Sequence, residues 1–378
     1  MKNILVIITK LSNGGAEKAI TLLASNLSKK YNVKIVAFDN SKQDYGTDVE
    51  IIDLKTRITN NKIKKIINFI IRIYKVRRIK KTYNIDYTIS FLPGPNIVNC
   101  FTKYNDKIII SVRNIQSKLK KSYFREIANQ ISFNKADKIV TVCDSVKEDI
   151  LNTYNVKNEK MITIYNTYDE NKINEQKFEK LDKQELTIFK DNFVVITIGR
   201  LIEQKGQWYL IRAFKEVVKK IPNAKLVILG RGELKNYLQK VIEKNGLESS
   251  VYLYGFKRNP YKYMYNSNLF VLPSLYEGMS NVLLEAMSCE LPIIATNSEG
   301  GNKEILQNDY GILINKFDGK YYIDEPLTKE EINLGKKIIE ILKNKTLREK
   351  YKEQSQKRIK YFNKENNLKK WINLIDNI

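Results

Sequence analysis

The sequence contains no histidine and only three cysteines in 378 residues. Without histidine, Ser-His-Asp and Cys-His catalysis, histidine zinc ligation and histidine general-base chemistry are all excluded. The three cysteines, Cys100, Cys143 and Cys289, lie far apart, which argues against a disulfide framework and against a CxxC metal site. Any catalysis is therefore expected to use carboxylates, lysine and arginine side chains, hydroxyls and backbone dipoles.

Long apolar runs and DxD triplets are missing as well. The longest apolar runs, such as Ile4 to Ile8, are far too short to span a membrane. That first run also lacks the length and the cleavage site of a signal peptide, so we expect a cytoplasmic protein. Because no DxD triplet offers a pair of carboxylates for Mg²⁺ or Mn²⁺, we expect no metal and no other cofactor.

Positive charge dominates, with 66 Lys and Arg against 42 Asp and Glu and a formal net charge of +24. One explanation of this excess is base composition, since Lys, Asn and Ile abound together as in chains encoded by AT-rich genomes, and the functional alternative is attraction of an anionic membrane or a phosphorylated substrate. The densest cluster is Lys62 to Lys81, where isoleucines recur at helical spacing among basic residues. Such a helix can lie on an anionic bilayer, or it can pack its apolar face on a sheet and expose its charges.

A second basic run, from Lys118 to Arg125, includes Tyr123 and Phe124. Basic residues interleaved with aromatic residues can bind nucleic acid. No recognisable RNA- or DNA-binding module accompanies this run, so the sequence predicts no nucleic-acid partner.

The chain alternates short apolar runs with amphipathic helical stretches, and a polar interval separates two such halves. This alternation is typical of an α/β protein with two doubly wound, Rossmann-like domains facing across a cleft. We place the first domain at residues 1–170, a linker at 171–192 and the second domain at 193–362. Residues 363–378 form a final amphipathic helix.

The stretch from Phe270 to Glu304 carries the strongest functional signal. A buried strand runs into a loop that contains Glu277, a helix that contains Glu285 follows, and a second strand leads to the turn Gly300-Gly301. Glycine turns and helix N-termini at the ends of parallel strands can receive phosphates. The two carboxylates, eight residues apart, would accept hydrogen bonds from sugar hydroxyls nearby. The stretch therefore predicts a nucleotide-sugar site.

Several motifs come in the order and spacing of the retaining glycosyltransferases of family 4, and the chain resembles that family over essentially its whole length. The motifs are, in order, Gly14-Gly15-Ala16-Glu17-Lys18, Gly199-Arg200 with Lys205-Gly206, Gly230-Arg231-Gly232-Glu233, Glu277-Gly278 through Glu285-Ala286, and Gly300-Gly301 with Glu304. The resemblance implies the GT-B fold, in which the first domain largely holds the acceptor and the second holds the nucleotide sugar. It also implies that the last helix crosses back onto the first domain.

The resemblance further implies roles for individual residues. Arg200 and Lys205 would neutralise the donor diphosphate, and Glu285 would bind the ribose. Glu277 would contact the transferred sugar and counts as a catalytic residue. The donor diphosphate would also meet Gly15 and the backbone N–H groups of Ser280, Asn281 and Val282, while Gly14, Arg231 and Gly278 would lie near the donor sugar and the nucleotide.

Two positions depart from the family pattern. Arg113 stands about where the family often has a histidine, and we count it as the second catalytic residue. An arginine cannot act as a base, but it can stabilise the leaving diphosphate or bind the acceptor. Glu290 stands where a glycine usually precedes Leu-Pro, which we expect to affect a helix C-cap rather than the chemistry.

The function implied by the resemblance is retaining transfer of a hexose or N-acetylhexosamine from a nucleotide sugar. UDP is the default nucleotide and GDP the next choice. The implied acceptor is a glycan, lipid-linked, in polysaccharide or capsule assembly at the inner face of the plasma membrane. A sugar-nucleotide epimerase or phosphorylase on the same fold stays open as an alternative, as does a non-enzymatic basic protein that binds nucleic acid.

Overall fold

The computed structural model describes residues 1–12, 14–41, 47–119, 123–307 and 309–378. The chain divides into two compact units. The first contains Met1–Thr167 together with Lys364–Ile378, and the second contains Tyr168–Asn363. Each unit is built on a parallel sheet with helices packed against it, which confirms the predicted α/β class and the two Rossmann-like domains.

The strands of each unit pair in parallel. The strands of the first sheet are β1 (Asn3–Ile8), β2 (Asn32–Ala37), β3 (Ile51–Asp53), β4 (Tyr87–Phe91), β5 (Lys107–Val112), β6 (Lys138–Thr141) and β7 (Met161–Thr163). The strands of the second are β8 (Phe193–Ile198), β9 (Ala224–Leu229), β10 (Val251–Gly255), β11 (Leu269–Leu272), β12 (Ile293–Thr296) and β13 (Ile312–Ile314). The first sheet has the order β3-β2-β1-β4-β5-β6-β7, and the second has the order β10-β9-β8-β11-β12-β13.

Helices alternate with the strands, as expected for parallel sheets that need crossover connections. Those before the second unit are α1 (Gly15–Leu27), α2 (Lys62–Thr82), α3 (Pro93–Phe101), α4 (Tyr123–Lys135) and α5 (Asp144–Thr153). The second unit contains α6 (Glu170–Gln176), α7 (Lys183–Phe189), α8 (Gln207–Lys220), α9 (Lys235–Lys244), α10 (Tyr261–Tyr265), α11 (Asn281–Ser288), α12 (Asn302–Leu306), α13 (Lys329–Lys343) and α14 (Lys345–Ile359). The last helix is α15 (Lys364–Asp376), and short 3₁₀ helices lie at Asn158–Lys160, Glu203–Lys205 and Lys360–Phe362.

Helix α15 packs on the first unit, as predicted. Its buried residues Trp371, Leu374 and Ile375 join the core formed by α1 and the central strands. Asp376 at its end accepts a hydrogen bond of 2.8 Å from Lys30. The first unit is therefore built from both ends of the chain.

Residues 171–192, predicted to be a linker, contain two short helices of the second unit, α6 and α7. Helix α7 starts with a capping box in which the side chains of Asp182 and Glu185 bond to each other's backbone N–H groups. Each of these seven-residue helices buries a single large apolar residue, Ile173 in α6 and Phe189 in α7. A helix this short repeats its apolar positions too few times to show a period in the sequence.

Of the two alternatives for helix α2, the one in which its isoleucine face packs on the sheet is wrong. Phe69, Val76 and Ile79 face the core instead, whereas Ile63, Ile66, Ile67, Ile70 and Tyr74 are exposed. The basic face also differs from the prediction, because Lys80 is buried and forms a 2.8 Å ion pair with Asp106. Periodicity identifies two faces of a helix, but it does not say which of them meets the sheet.

No helix among the described parts of the chain is both long enough and apolar enough to cross a membrane.

Candidate active site

Four loops at one edge of the second sheet, together with the start of α11, hold the predicted donor-binding residues of the second unit. Parallel strands end at the same edge, so the loops that follow β8, β9, β11 and β12 come together there. Arg200 lies two residues after β8, Arg231 lies two residues after β9, and Glu277 lies in the loop after β11. Lys205 ends the 3₁₀ helix Glu203–Lys205, which the loop after β8 forms before α8 begins.

Glycines let these loops touch through their backbones. A Cβ atom at Gly230 would lie 1.8 Å from the carbonyl oxygen of Gly199, and one at Gly300 would lie 1.8 Å from that of Glu277. Both glycines have a positive φ, of 146° and 117°, which residues with a side chain rarely adopt. The glycine motifs of the sequence therefore bring neighbouring loops together, in addition to any ligand they contact.

Lys205 and Glu277 form an ion pair at the centre of this edge. The Lys205 ammonium lies 2.5 Å from a carboxylate oxygen of Glu277, and both side chains are largely buried. The backbone N–H of Glu277 donates to the carbonyl of Glu299 at 3.0 Å, and Gly301 donates to Gly278 at 2.6 Å. The carboxylate thus lies on a fixed loop, and its partner is the lysine that we expected at the donor diphosphate.

The N-terminus of α11 points to the same edge. Ser280 is the N-cap residue, yet its hydroxyl makes no capping hydrogen bond. Among the described residues, its buried Oγ has no hydrogen-bonding partner. Asn281 and Val282, in the first turn of α11, are half-buried. A helix N-terminus that is not capped by a side chain can receive an anion through its backbone N–H groups and its dipole.

Glu285 lies about one turn into α11 and is half-buried. The nearby Cys289 thiol is buried, and this burial, together with the charge of Glu285, raises the pKa of Cys289 to about 12. Cys289 is therefore protonated at neutral pH and is no nucleophile.

Arg200 and Arg231 present positive charge at the rim of the same edge. Both residues are exposed. The Arg231 guanidinium lies 4.6 Å from the centre of the Phe256 ring, in cation–π geometry. The backbone carbonyl of Arg200 accepts a 3.0 Å hydrogen bond from the Gln207 side chain, which fixes the loop that carries it.

The remaining predicted residues belong to the first unit. Arg113 directly follows β5, donates a hydrogen bond to the Asn166 side chain and lies 4.5 Å from the centre of the Phe91 ring. Burial lowers the pKa of Arg113 to about 9, against the opposing attraction of Glu17. Arg113 therefore keeps its charge at neutral pH and cannot serve as a base.

Gly14 immediately precedes α1, and Gly15 is the first residue of that helix. The lack of space for a side chain explains why position 14 is a glycine. A Cβ at Gly14 would lie 2.0 Å from a carboxylate oxygen of Glu17, which folds back over this position. Glu17 is buried and electrostatically coupled to Arg113, a role that the sequence analysis missed. Its place in the motif Gly14 to Lys18 was the available signal, but an acidic residue in the first turn of a helix is ordinary.

The fold and this site define a GT-B glycosyltransferase. The family model for Glycosyl transferases group 1 matches residues 178–358, and the model for Glycosyltransferase Family 4 matches residues 13–172. The chain belongs to this family of glycosyltransferases and is accordingly a transferase enzyme.

Known relatives cover almost the whole chain. An uncharacterized glycosyltransferase of Methanocaldococcus jannaschii, MJ1059, is 35% identical over 92% of this chain and 93% of its own. A Campylobacter jejuni enzyme is 27% identical over 96% of both chains, and its name is N-acetylgalactosamine-N,N'-diacetylbacillosaminyl-diphospho-undecaprenol 4-alpha-N-acetylgalactosaminyltransferase. The crystal structure of HepE from Anabaena in complex with UDP-glucose matches with a TM-score of 0.82 at 19% identity, over 100% of both chains, which is a likeness of fold.

Proposed function

We propose that the enzyme transfers a hexose or N-acetylhexosamine from a nucleotide sugar to a lipid-linked glycan, with retention of the anomeric configuration. The observation that carries the proposal is the buried Lys205–Glu277 pair at the edge where glycine turns, two exposed arginines and a helix N-terminus meet. UDP is the nucleotide we propose first, in line with the ligand of the Anabaena structure. The name of the Campylobacter relative supports a polyprenyl-diphosphate-linked acceptor.

The donor diphosphate needs cations and N–H donors. Arg200 supplies a planar, bidentate donor, and Lys205 supplies a point charge. The N-terminus of α11, from Ser280 to Val282, adds a dipole that favours negative charge. In this proposal these groups stabilise the departing diphosphate without a metal ion, and Gly15 of the first unit lets a backbone N–H approach it.

The two carboxylates bind hydroxyl groups. Glu277 forms an ion pair with Lys205 and would accept hydrogen bonds from the transferred sugar. Glu285 would accept hydrogen bonds from the ribose. Gly14, Gly278 and Arg231 would line the surroundings of the donor. Because Lys205 touches Glu277, the sugar site and the diphosphate site are coupled through one ion pair.

The reaction exchanges one bond at the anomeric carbon for another. The bond to the diphosphate oxygen breaks and its electron pair leaves with the nucleotide, while the acceptor oxygen bonds to the same face of the sugar and its hydroxyl proton passes to the departing diphosphate. Arg113 stabilises negative charge or holds the acceptor, since it stays charged at neutral pH.

The proposed setting is the cytoplasmic face of an anionic membrane, in the assembly of a cell-surface polysaccharide. The positive charge of the chain and the basic helix α2 favour such a surface. A lipid-linked acceptor would be presented there.

A lysine substitution tests the donor site. We expect Lys205→Ala to lower kcat/KM for transfer by about 100-fold or more, because transition-state charge on the diphosphate loses a buried cation. The measurement is product formation with the nucleotide sugar that gives the largest thermal shift in a panel of UDP and GDP sugars. The configuration of the new glycosidic bond, read by NMR, tests retention.

Lys219→Ala is the matched control, because it removes an exposed lysine of the same unit that pairs with Glu216. It should keep full activity. A folded and fully active Lys205→Ala enzyme would refute the diphosphate role. An interconverted nucleotide sugar without acceptor would indicate an epimerase, and a requirement for free phosphate would indicate a phosphorylase.

A further inference from the structure

Helix α2 carries an exposed apolar stripe, which we call the α2 stripe. It consists of Ile63, Ile66, Ile67, Ile70 and Tyr74, and each of these side chains is between 50% and 70% exposed. Their spacing places them on one face of the helix. The opposite face meets the core through Phe69, Val76 and Ile79. An exposed stripe of four isoleucines and a tyrosine is far larger than the scattered apolar residues of an ordinary surface.

Exposed cations lie at both ends of this stripe. Lys62, Lys64 and Lys65 are exposed at its start, and Arg77, Arg78 and Lys81 are exposed at its end. Helix α2 contains no acidic residue over its 21 positions. The other three cations of α2 form bonds within the protein. Lys80 pairs with Asp106, and Arg72 and Lys75 donate hydrogen bonds to the backbone of residues 54–56.

The first two turns of α4 add a second exposed apolar group, which we call the α4 turn. It consists of Tyr123, Phe124 and Ile127. Phe124 is 83% exposed and Tyr123 is 74% exposed, and their rings contact each other edge to face. Of the neighbouring basic run, residues 120–122 lie outside the described part of the chain. Two adjacent aromatic side chains are thus mainly in contact with solvent and with each other among the described residues.

The topology brings the α2 stripe and the α4 turn to the same part of the first unit. Helix α2 begins after β3 and α4 begins after β5, so both start at the carboxyl edge of the parallel sheet. Helix α3 packs against both of them, which places the three helices in one layer. Arg113, directly after β5, belongs to that edge as well.

We propose that the α2 stripe and the α4 turn together form one surface that binds an anionic lipid bilayer. The isoleucines and Phe124 enter the boundary between headgroups and acyl chains, and Tyr74 and Tyr123 lie at the headgroups. The lysines and arginines around the stripe extend to anionic headgroups. This inference rests on the proposed function, and it adds how the acceptor edge of the first unit is turned towards the membrane.

The chemistry of the surface favours lipid over a protein partner. A protein that covered the stripe would remove several lysines and arginines from water and would need a carboxylate for each of them. A bilayer accepts the apolar side chains while it leaves the flexible cationic ends hydrated among phosphates. Helix α2 contains basic residues and no acidic residue, which favours a negatively charged partner.

Tryptophan reporters test the depth of insertion. The two natural tryptophans, Trp208 and Trp371, are buried, so a new exposed tryptophan dominates quenching by bilayer lipids. We expect Phe124→Trp and Ile67→Trp to shift to the blue and to be quenched by brominated acyl chains in vesicles of phosphatidylcholine with phosphatidylglycerol. Tyr361→Trp, at an exposed position of the second unit, is the matched control and should remain unquenched.

A charge substitution tests whether the stripe drives binding. Ile66→Glu combined with Ile70→Glu should weaken binding to the same vesicles by at least about tenfold, since it removes apolar area and adds like charge to the membrane. Leu186→Glu with Ile332→Glu adds the same charge at exposed apolar positions of the second unit and should bind nearly as the natural protein does. Unchanged binding by the α2 variant, or vesicle binding without quenching at positions 67 and 124, would overturn the proposal.

Two acceptors separate this surface from the enzymatic function. The α2 variant should lose transfer to a lipid-linked glycan in vesicles yet keep transfer to a water-soluble glycan and the thermal shift with UDP. The natural protein could fail to glycosylate either acceptor while the tryptophans at positions 67 and 124 still insert into the bilayer. That result would refute the proposed function and support the lipid-binding surface. A natural protein that ignores vesicles but forms dimers in light scattering would identify a second copy as the partner and would refute the lipid surface.

Discussion

At the scale of single residues, Glu290 has an unusual backbone conformation. Glu290 has a φ of 63°, a left-handed conformation that normally favours glycine. It follows α11 in a C-terminal motif in which the N–H of Glu290 donates to Met287 and that of Leu291 donates to Ala286. Its carboxylate lies 3.4 Å from the Lys177 ammonium. The departure from glycine at this position thus concerns a helix C-cap, as the sequence suggested.

Two substitutions at Glu290 separate the strain from the charge. Glu290→Gln removes the ion pair and keeps a side chain in the left-handed region, whereas Glu290→Gly removes both. We expect the glycine variant to be more stable than the glutamine variant by about 1 kcal/mol, the usual cost of this conformation for a residue with a Cβ. Urea unfolding measures the difference. A glutamine variant as stable as the glycine variant would mean that the backbone carries no strain there.

At the scale of elements, polar contacts hold the short helices that the sequence did not reveal. Glu185 in α7 accepts a hydrogen bond from Tyr263 in α10, another of 2.9 Å from Lys262, and a third from Lys257 at 3.2 Å. Burial alone would raise the pKa of Glu185, but these hydrogen bonds prevail and lower it to about 2. The ionised carboxylate therefore stabilises the packing of α7 on α10.

The sign of the pH dependence follows from this lowered pKa. Ionised Glu185 contributes its full stability above the ordinary pKa of an unfolded glutamate, about 4.3, and loses it as the pH falls towards 2. The contribution is on the order of 3 kcal/mol. We expect the natural protein to lose this stability in urea unfolding between pH 5 and pH 2 and Glu185→Gln to lack that part of the loss. Parallel curves for both proteins would contradict the assignment.

Strands and helices with many apolar residues could be predicted from the sequence. The contacts that these elements make with one another could not. The strands β4 and β5 are buried along almost their whole length, and buried strands of a parallel sheet show in the sequence as short runs rich in apolar and β-branched residues. The motifs predicted to bind the donor lie in loops at one edge of the second sheet. Nothing in the spacing showed that Lys205 would meet Glu277, 72 residues later, because that contact depends on two glycine turns and a strand pairing. The sequence left two alternatives open for the apolar face of α2 for the same reason, since the packing against the sheet decides which face is exposed.

At the scale of the whole molecule, the chain leaves the first unit at Thr167 and returns to it at Lys364. The returning helix contributes Trp371, which is 6% exposed and stacks near Phe91 with ring centres 6.3 Å apart. The core of the first unit is therefore incomplete until the last residues of the chain have been made. Stability of the first unit should depend on the last helix, while that of the second unit should not.

Trp371→Ala tests this dependence. The substitution leaves a large cavity in the first unit, and we expect a cost of about 3–5 kcal/mol. Hydrogen exchange should then lose protection in β1, β2 and α1, which share that core, and retain it in β8, β9 and α8. Trp208→Ala is the reciprocal control, because Trp208 is fully buried in the second unit and stacks on Tyr321. Trp208→Ala should lower protection in β8, β9 and α8 and leave it unchanged in β1, β2 and α1. Equal losses of protection in both units from either substitution would mean that the two cores unfold as one cooperative body.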